Sequence, residues 1–384
     1  MNEFELQFAK LESLLEFNDF DILLKRIIDL TLDTENINCY KSTNDFLNWL
    51  DNHENSTSKK DKFKVILTGL HLFLSQKPIV ERKTLIVADE IYKTYSKNSF
   101  ALGPINLELK QGEILGLVGE NGNGKTTLLR LLCGELFASA GKLDFIFDKK
   151  DLYDLRTKLV YIPQRTETWY GSMLENLQFT ASSYGYKPIE NELVVELIIA
   201  RLGLRKFRNH AWKSLSSGYK MRFELARMLL RKPQILLIDE PLANLDILAQ
   251  QTILEDFKSI AKSPFRPIAI VLSSQQLYEV EKTSDQVIFL KNGVQRNLFE
   301  TEKNEIKTAK NLVIEFESSF SQSELKDIFD NHKIISLQYN GGNYIATFDE
   351  SLSIHDLMAV FVQHKIQVQY FRNISNSSRQ FFVS

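Results

Sequence analysis

The chain has 384 residues, 43% of them apolar and 25% charged, with a formal net charge of −2 at neutral pH. That composition is core material for two or three ordinary globular domains and excludes a fibrous or low-complexity chain. The near balance of charge supplies no global basic field, which argues against sequence-independent binding to nucleic acid.

The start, Met1–Leu15, carries acids early and lacks the basic opening and apolar centre of a secretion signal. No apolar run approaches the roughly 18–20 residues that a bilayer helix needs, so a role at a membrane requires another chain to supply the span. The two cysteines, Cys39 and Cys133, form neither a metal-ligand spacing nor a disulfide framework. They point to a reducing, cytosolic setting, with Cys133 a small buried hydrophobe.

Residues 1–80 contain only Gly69 and Pro78 as punctuation, and their apolar residues recur at helical spacing. Phe4, Phe8, Leu11, Leu14 and Leu15 mark a first helix; Phe20, Leu23, Leu24, Ile27 and Ile28 mark a second, starting near Asn18 or Asp19. Phe46, Leu47 and Leu50 mark a third, with a start expected at Ser42–Asn44, and Phe63–Leu74 a fourth. The expectation is an all-α bundle without a catalytic constellation, serving as a docking surface for a partner or second copy, or as a structural extension.

From Thr84 the pattern turns to strands: Leu85–Val87, Ile91–Tyr95, Ile105–Leu109 and Ile114–Val118. The last of these runs into Gly119-Glu120-Asn121-Gly122-Asn123-Gly124-Lys125-Thr126-Thr127, followed by the helical pattern Leu128–Leu132. Strand, glycine-rich turn and helix in that order define a P-loop, whose backbone N–H groups curl round phosphate oxygens at a helix N-terminus. Lys125 adds a charge at the β/γ-phosphates, and the Thr126 hydroxyl can ligate Mg2+. Tyr95, upstream, stands where an aromatic either stacks on an adenine ring or packs in a core.

Further strands are expected at Lys142–Phe147 and Leu159–Ile162, then helices within Ser172–His210. The stretch Leu215-Ser216-Ser217-Gly218-Tyr219 precedes a helix over Lys220–Arg231, with Ser216 as its cap, and offers a second anion site. The run Ile235–Ile238 reads as a strand buried on both faces and ending in Asp239-Glu240. Acids at the carboxyl end of such a strand sit where ligands bind in open α/β sheets. Asp239 can hold Mg2+ and Glu240 can polarise an attacking water.

The order and spacing of these pieces resemble the nucleotide-binding domain of ATP-binding cassette (ABC) proteins, over about residues 84–300. The resemblance rests on six pieces in order: the P-loop, Gln164 after a strand, the signature Leu215–Tyr219, the Asp239-Glu240 pair, the loop Ala243–Asp246 and the switch region Ser273-Ser274-Gln275. It implies a head-to-tail dimer with each ATP between one copy's P-loop and the other's signature. On that pattern Tyr95, Gly119, Asn121, Gly122, Gly124, Lys125, Thr126 and Thr127 hold nucleotide, completed by Ser216, Gly218 and Asp246. Thr126, Gln164 and Asp239 hold Mg2+, and Glu240, Gln275 and Gln164 serve hydrolysis. The sequence departs from the family in two places. Ser217 and Tyr219 replace the usual third and fifth signature residues, and Gln275 stands where the family carries histidine. Glutamine donates a neutral hydrogen bond and shuttles no proton, which implies slower turnover.

After the cassette, Val287–Leu290 and Val294–Leu298 read as strands around the turn Lys291-Asn292-Gly293, and Thr301–Lys310 as a polar helix or linker. Residues 311–384 then give the order βαββαβ: Leu312–Phe316, Ser321–Phe329, Ile334–Tyr339, the turn Asn340-Gly341-Gly342, Tyr344–Phe348, Ile354–His364 and Ile366–Phe371. That order is ferredoxin-like, and a polar tail Arg372–Ser384 follows. The arrangement resembles the accessory domain after the cassette in ATPase subunits of ABC-2 type exporters.

The expected fold is therefore an α/β P-loop cassette (84–300) with a helical subdomain at about 165–232, between an all-α bundle (1–80) and a small α+β domain (311–384). The function expected is an ATP-hydrolysing transporter subunit, with ATP and Mg2+ as cofactors. Its partners would be a second cassette, as a homodimer, and a separate membrane permease that holds it on the cytoplasmic face of the membrane. The alternative weighed is a soluble ABC ATPase acting on ribosomes or DNA, against which stand the single P-loop and the short separation of Lys125 from Asp239. An inactive scaffold is disfavoured by Lys125, Asp239 and Glu240 together.

Overall fold

Apolar side chains four residues apart on helices, and continuous aliphatic runs in strands, organise the protein into two units, Met1–Gln295 and Arg296–Ser384. The computed structural model describes residues 2–53, 58–95, 100–147, 151–243, 245–296, 311–340 and 342–375. Expectations for Leu298, the linker Thr301–Lys310, Asn244, Gly341 and the end of the tail lie outside the described residues.

The first unit opens with α1 (Glu3–Glu16), α2 (Phe20–Thr34), α3 (Ile37–Asn52) and α4 (Lys59–Leu74). Phe4, Phe8, Leu11 and Leu15 of α1 meet Leu23 and Ile27 of α2, Phe46 of α3 and Phe63, Leu67, Leu70 and Leu74 of α4 in one buried cluster. Each such side chain contributes about 1.5–3 kcal/mol on burial. The third helix starts earlier than Ser42–Asn44: the Asn36 side chain accepts from the N–H groups of Asn38 and Cys39. Glu35, in the left-handed region at φ 52°, ends α2 just before that cap.

The cassette follows as β1 (Thr84–Thr94), β2 (Ala101–Lys110), β3 (Ile114–Val118), α5 (Lys125–Leu132), β4 (Ala140–Phe145), α6 (Leu152–Lys158) and β5 (Leu159–Ile162). Next come α7 (Met173–Ser183), α8 (Pro188–Arg201), α9 (Ser217–Leu229), β6 (Ile235–Ile238), α10 (Ile247–Ala261), β7 (Ala269–Ser274), α11 (Leu277–Thr283), β8 (Gln286–Lys291) and β9 (Val294–Arg296). Strands expected at Leu85–Val87 and Ile91–Tyr95 are one strand, β1, whose register on β2 shifts between Ala88 and Ile91. A bulge thus bends the strand without ending it. Helix α9 likewise begins at Ser217, because Ser216 caps it by accepting from Tyr219 N–H.

The central sheet runs β5-β6-β7-β3-β8-β9, and an antiparallel sheet β2-β1-β4 accompanies it. β3, β5, β6, β7 and β8 are parallel. Their carboxyl ends gather Val118, Ile162, Ile238 and Ser274 at one edge, where the motif residues begin. Between β8 and β9, Asn292 and Gly293 have φ of 52° and 80°, the pair of positive angles that a tight type I′ hairpin demands.

The bundle is built into the cassette. Ile28, Leu32, Tyr40 and Leu47 turn away from its own core and join the cluster formed by α7, α8 and α9, while Phe265 from the α10–β7 connection enters the bundle's core. Phe265 meets Phe4 edge-on at 5.2 Å between ring centroids. Buried charges cross the same seam. Arg201, 2% exposed at the end of α8, donates Nε to Asp29 Oδ1 and Nη1 to Asp256 Oδ1, each at 2.6 Å. Lys25 reaches the same Asp256 oxygen at 3.1 Å. Burial alone would lower the Arg201 pKa, but Asp29 and Asp256 outweigh it and hold the guanidinium above its ordinary value. A second pair joins Asp33 of α2 to Arg266 Nε at 2.7 Å, with Ser263 Oγ donating to Asp33 at 2.8 Å.

The second unit consists of β10 (Leu312–Ser318), α12 (Gln322–Phe329), β11 (Ile334–Asn340), β12 (Asn343–Phe348), α13 (Ile354–Gln363) and β13 (Val368–Asn373). Its four-stranded antiparallel sheet has the order β11-β12-β10-β13, which gives the βαββαβ chain the ferredoxin-like arrangement. The last strand begins at Val368 rather than Ile366, because the Ile366 N–H is still held by Phe361 O at the end of α13.

Candidate active site

Every residue of β3 is buried, and the chain leaves it directly into the glycine-rich turn. Gly124 caps α5 at φ 96°, and a Cβ there would come within 2.9 Å of Phe100 Cζ, so the turn closes only with glycine. The cleft above it has a volume of about 190 Å3 and is walled by Asn121, Gly122, Gly124, Lys125, Thr126 and Thr127. Phe100, Glu120, Gln164 and Glu240 complete the wall.

Lys125 is 5% exposed, and its ammonium donates to Gly119 O at 2.6 Å and Glu120 O at 3.2 Å. It also lies 3.1 Å from Glu240 Oε1, an ion pair whose angles are not those of a hydrogen bond. That oxygen is buried and accepts no hydrogen bond. Glu240 follows β6 with φ of 51°, a left-handed conformation costing about 1–2 kcal/mol for a residue with a Cβ. The kink places its carboxylate beside the P-loop lysine.

Asp239 is 3% exposed and fully engaged. Thr126 Oγ1 donates to its Oδ2 at 2.7 Å, Tyr161 OH to the same oxygen at 3.3 Å, and Ser273 Oγ to its Oδ1 at 2.6 Å. Ser273 Oγ also accepts from Glu240 N–H at 2.9 Å, so one serine orients both acids. Burial, with the neighbouring Asp239 charge second, pushes the Tyr161 hydroxyl far above its ordinary value and keeps it a donor. Among the described residues no cluster of three His, Cys, Asp or Glu side chains forms a metal site. The oxygen set of Thr126, Asp239 and Gln164 fits Mg2+, which takes one or two carboxylates plus phosphate oxygens and waters.

The expected residues divide into those gathered at the cleft and those outside it. Tyr95 lies at the end of β1, 55% exposed, and the aromatic on the cleft is Phe100. Ser216 and Gly218 do not line the cleft; Ser217 lines a neighbouring one of about 460 Å3 together with Gln164 and Glu240. A Cβ on Gly218 would make only ordinary contact with Leu245, so packing within this chain does not demand glycine there. Asp246 caps α10 by accepting from Ala249 N–H at 2.8 Å. Gln275 is exposed and follows Ser274, whose carbonyl accepts from Gly119 N–H at 3.3 Å. Sequence reasoning gave no role to Phe100 or Tyr161 and named Ser273 only as part of the switch region. For the last two a signal existed, since both are hydroxyls near the ends of the strands flanking β6, Ser273 level with Asp239 and Tyr161 level with Leu237.

A strand-borne P-loop facing two acids at the end of the adjacent-but-one strand defines a P-loop ATPase cassette. Residues 102–243 match the family model described as ABC transporter. Among curated relatives, the ABC transporter ATP-binding protein NatA of Bacillus subtilis is 29% identical over 220 residues, 53% of this chain and 86% of its own length. The bacitracin transport ATP-binding protein BcrA of Bacillus licheniformis is 27% identical over 308 residues, 78% of this chain and 96% of its own length. Among solved structures, cbiO1 from Clostridium perfringens, part of the ABC transporter complex cbiONQ, superimposes with a TM-score of 0.50 at 26% identity. It covers 56% of this chain and 87% of that one. The cassette is an ABC transporter ATP-binding cassette, and the protein is an ATPase.

Proposed function

We propose that this chain is the ATP-hydrolysing subunit of an ABC exporter, working as a homodimer that drives a separate membrane-embedded chain. The observation carrying the reading is the approach of Lys125 and Glu240 at the cleft, with the signature Ser216–Tyr219 outside it. One copy therefore offers a P-loop with its acids but no signature wall. Ser216 and Gly218 of a second copy supply that wall, an exposed helix N-terminus suited to a phosphate. Ile247 and Leu248, next to Asp246, are 70% and 76% exposed and give the dimer face apolar area.

In hydrolysis Glu240 takes the role of general base. Its buried Oε1 has a free acceptor site for a water, and Lys125 moves from the P-loop carbonyls to the phosphates. Thr126, Asp239 and Gln164 would hold Mg2+, which when bound neutralises charge on the β- and γ-phosphate oxygens. Gln275, level with the start of the P-loop, gives its amide to the γ-phosphate.

Among the described residues no helix is long and apolar enough to cross a membrane. The permease contact is assigned to the Gln164 groove and α7, where Tyr170 and Phe179 are 87% and 74% exposed. Export is favoured by the βαββαβ unit, which resembles the accessory domain of ABC-2 type exporters. A role in transport is favoured by the relative whose alignment reaches beyond a cassette, a bacitracin transport subunit. Transport subunits among the relatives favour this reading over action on ribosomes or DNA.

Dimerisation is tested with Glu240→Gln protein on a sizing column. Saturating Mg-ATP should shift it from monomer to dimer, and Ser216→Arg should abolish the shift. A Glu240→Gln protein that stays monomeric with ATP, alone and with its permease, would sink the paired-site reading.

A further inference from the structure

A cavity of about 240 Å3 lies where three parts of the first unit meet: α2 and α3 of the bundle, α8, and the connection from α10 to β7. It is separate from the P-loop cleft and shares no lining residue with it. Part of its wall is aliphatic, from Leu32, Val194, Ile198 and Ile268.

The polar groups on this cavity are unevenly satisfied. Tyr40 and Tyr186 are 4% and 9% exposed, and among the described residues neither hydroxyl has a hydrogen-bond partner. Neither hydroxyl oxygen is among the fully buried atoms that lack a partner, so each opens onto the cavity space. Burial pushes the Tyr40 hydroxyl up to about 12 and the Tyr186 hydroxyl higher still, so both stay protonated donors at neutral pH. Arg266 gives Asp33 only its Nε, and the Lys232 ammonium stands 4.6 Å over the Tyr186 ring. The acids are already engaged. Asp33 accepts from Arg266 and Ser263, Asp29 from Arg201 and Ser259, and Glu35 from Lys77. What is left for a ligand is hydroxyl donors and positive charge beside an apolar wall.

We propose that this cavity is a binding site for a small organic carboxylate with an apolar body about the size of one ring. The planar guanidinium of Arg266 matches a carboxylate, and the two tyrosines supply its remaining donors. Such an occupant touches the bundle, α8 and the α10–β7 connection together.

The test is calorimetric titration of the full-length protein with benzoate, and with benzamide as its neutral counterpart. Benzoate should bind at least tenfold more tightly than benzamide. The double variant Tyr40→Phe/Tyr186→Phe should weaken benzoate about tenfold while melting no lower than the wild type, because it removes only unpartnered hydroxyls. Lys232→Gln, an exposed change, should weaken it as well and serves if the double variant fails to fold. Equal binding of benzoate and benzamide, unchanged affinity in both variants, or no benzoate binding at about 10 mM would each overturn the proposal.

Discussion

Two buried charge clusters lie in the first unit, and they are built in opposite ways. Around Asp239 and Glu240 the groups leave capacity open: Glu240 Oε1 accepts nothing, and Lys125 is held by backbone carbonyls that it can exchange for a phosphate. Around Arg201 the charges face one another: the guanidinium donates to Asp29 and Asp256, and Lys25 reaches the same Asp256 oxygen. The first arrangement stores a site; the second joins α2, α8 and α10. Burial of charge therefore does not by itself mark function: each cluster keeps one buried oxygen without a partner, Glu240 Oε1 and Asp256 Oδ2, and what distinguishes the two is that Glu240 lines the P-loop cleft and Asp256 does not.

The sharpest way to break that comparison is turnover. Glu240→Gln keeps the shape of the site but removes the base, and steady-state phosphate release should fall about 10²–10⁴-fold. Nucleotide binding should persist, because Lys125 and the backbone N–H groups of the P-loop all remain, and only the Lys125–Glu240 ion pair is lost. An unaltered rate would mean that the open oxygen has no part in the chemistry, and the contrast with the Arg201 cluster would lose its basis.

The same comparison shows what could be read from the chain. The P-loop, the acids after an aliphatic strand and the βαββαβ order are local patterns, each set by spacing along a few residues. The Arg201 cluster has no such pattern: Asp29, Arg201 and Asp256 come from three helices far apart in sequence, and each looks like an ordinary surface charge of an amphipathic helix. Nor does helical periodicity reveal that Ile28, Leu32 and Leu47 serve the cassette's core, since a helix with two buried faces reads as one broad stripe. Tyr95 shows a related limit. Spacing upstream of the P-loop selects a region, but the bulged β1 ends with Tyr95 exposed while Phe100 reaches Gly124.

Stability probes the second cluster. Arg201→Met takes the guanidinium from Asp29 and Asp256, leaving Asp256 only Lys25, and should cost about 3–5 kcal/mol in urea unfolding followed by tryptophan fluorescence. Replacing all three by Arg201→Met, Asp29→Leu and Asp256→Leu should recover most of that loss, since well-packed apolar groups often equal a buried ion pair. A single variant as stable as the wild type would show that water already relieves these charges.

The smallest effect separates the two clusters at their margin, because Gln275 belongs to the site by register yet is exposed and lies off the cleft wall. If its amide meets the γ-phosphate, Gln275→Ala removes one neutral hydrogen bond, about 0.5–1.5 kcal/mol, and turnover should fall about 2–10-fold. Gln275→His should do the reverse, and with a pH signature. The imidazolium makes a charge-assisted bond roughly twice as strong as a neutral one. The gain should be present below the ordinary histidine pKa of about 6.5 and fade as pH rises through it, whereas the glutamine enzyme has no such step. Rates for Gln275→Ala and Gln275→His that track the wild type between about pH 6 and 8 would make the side chain a spacer. The site's neutral switch would then have to be sought elsewhere on the rim of the cleft.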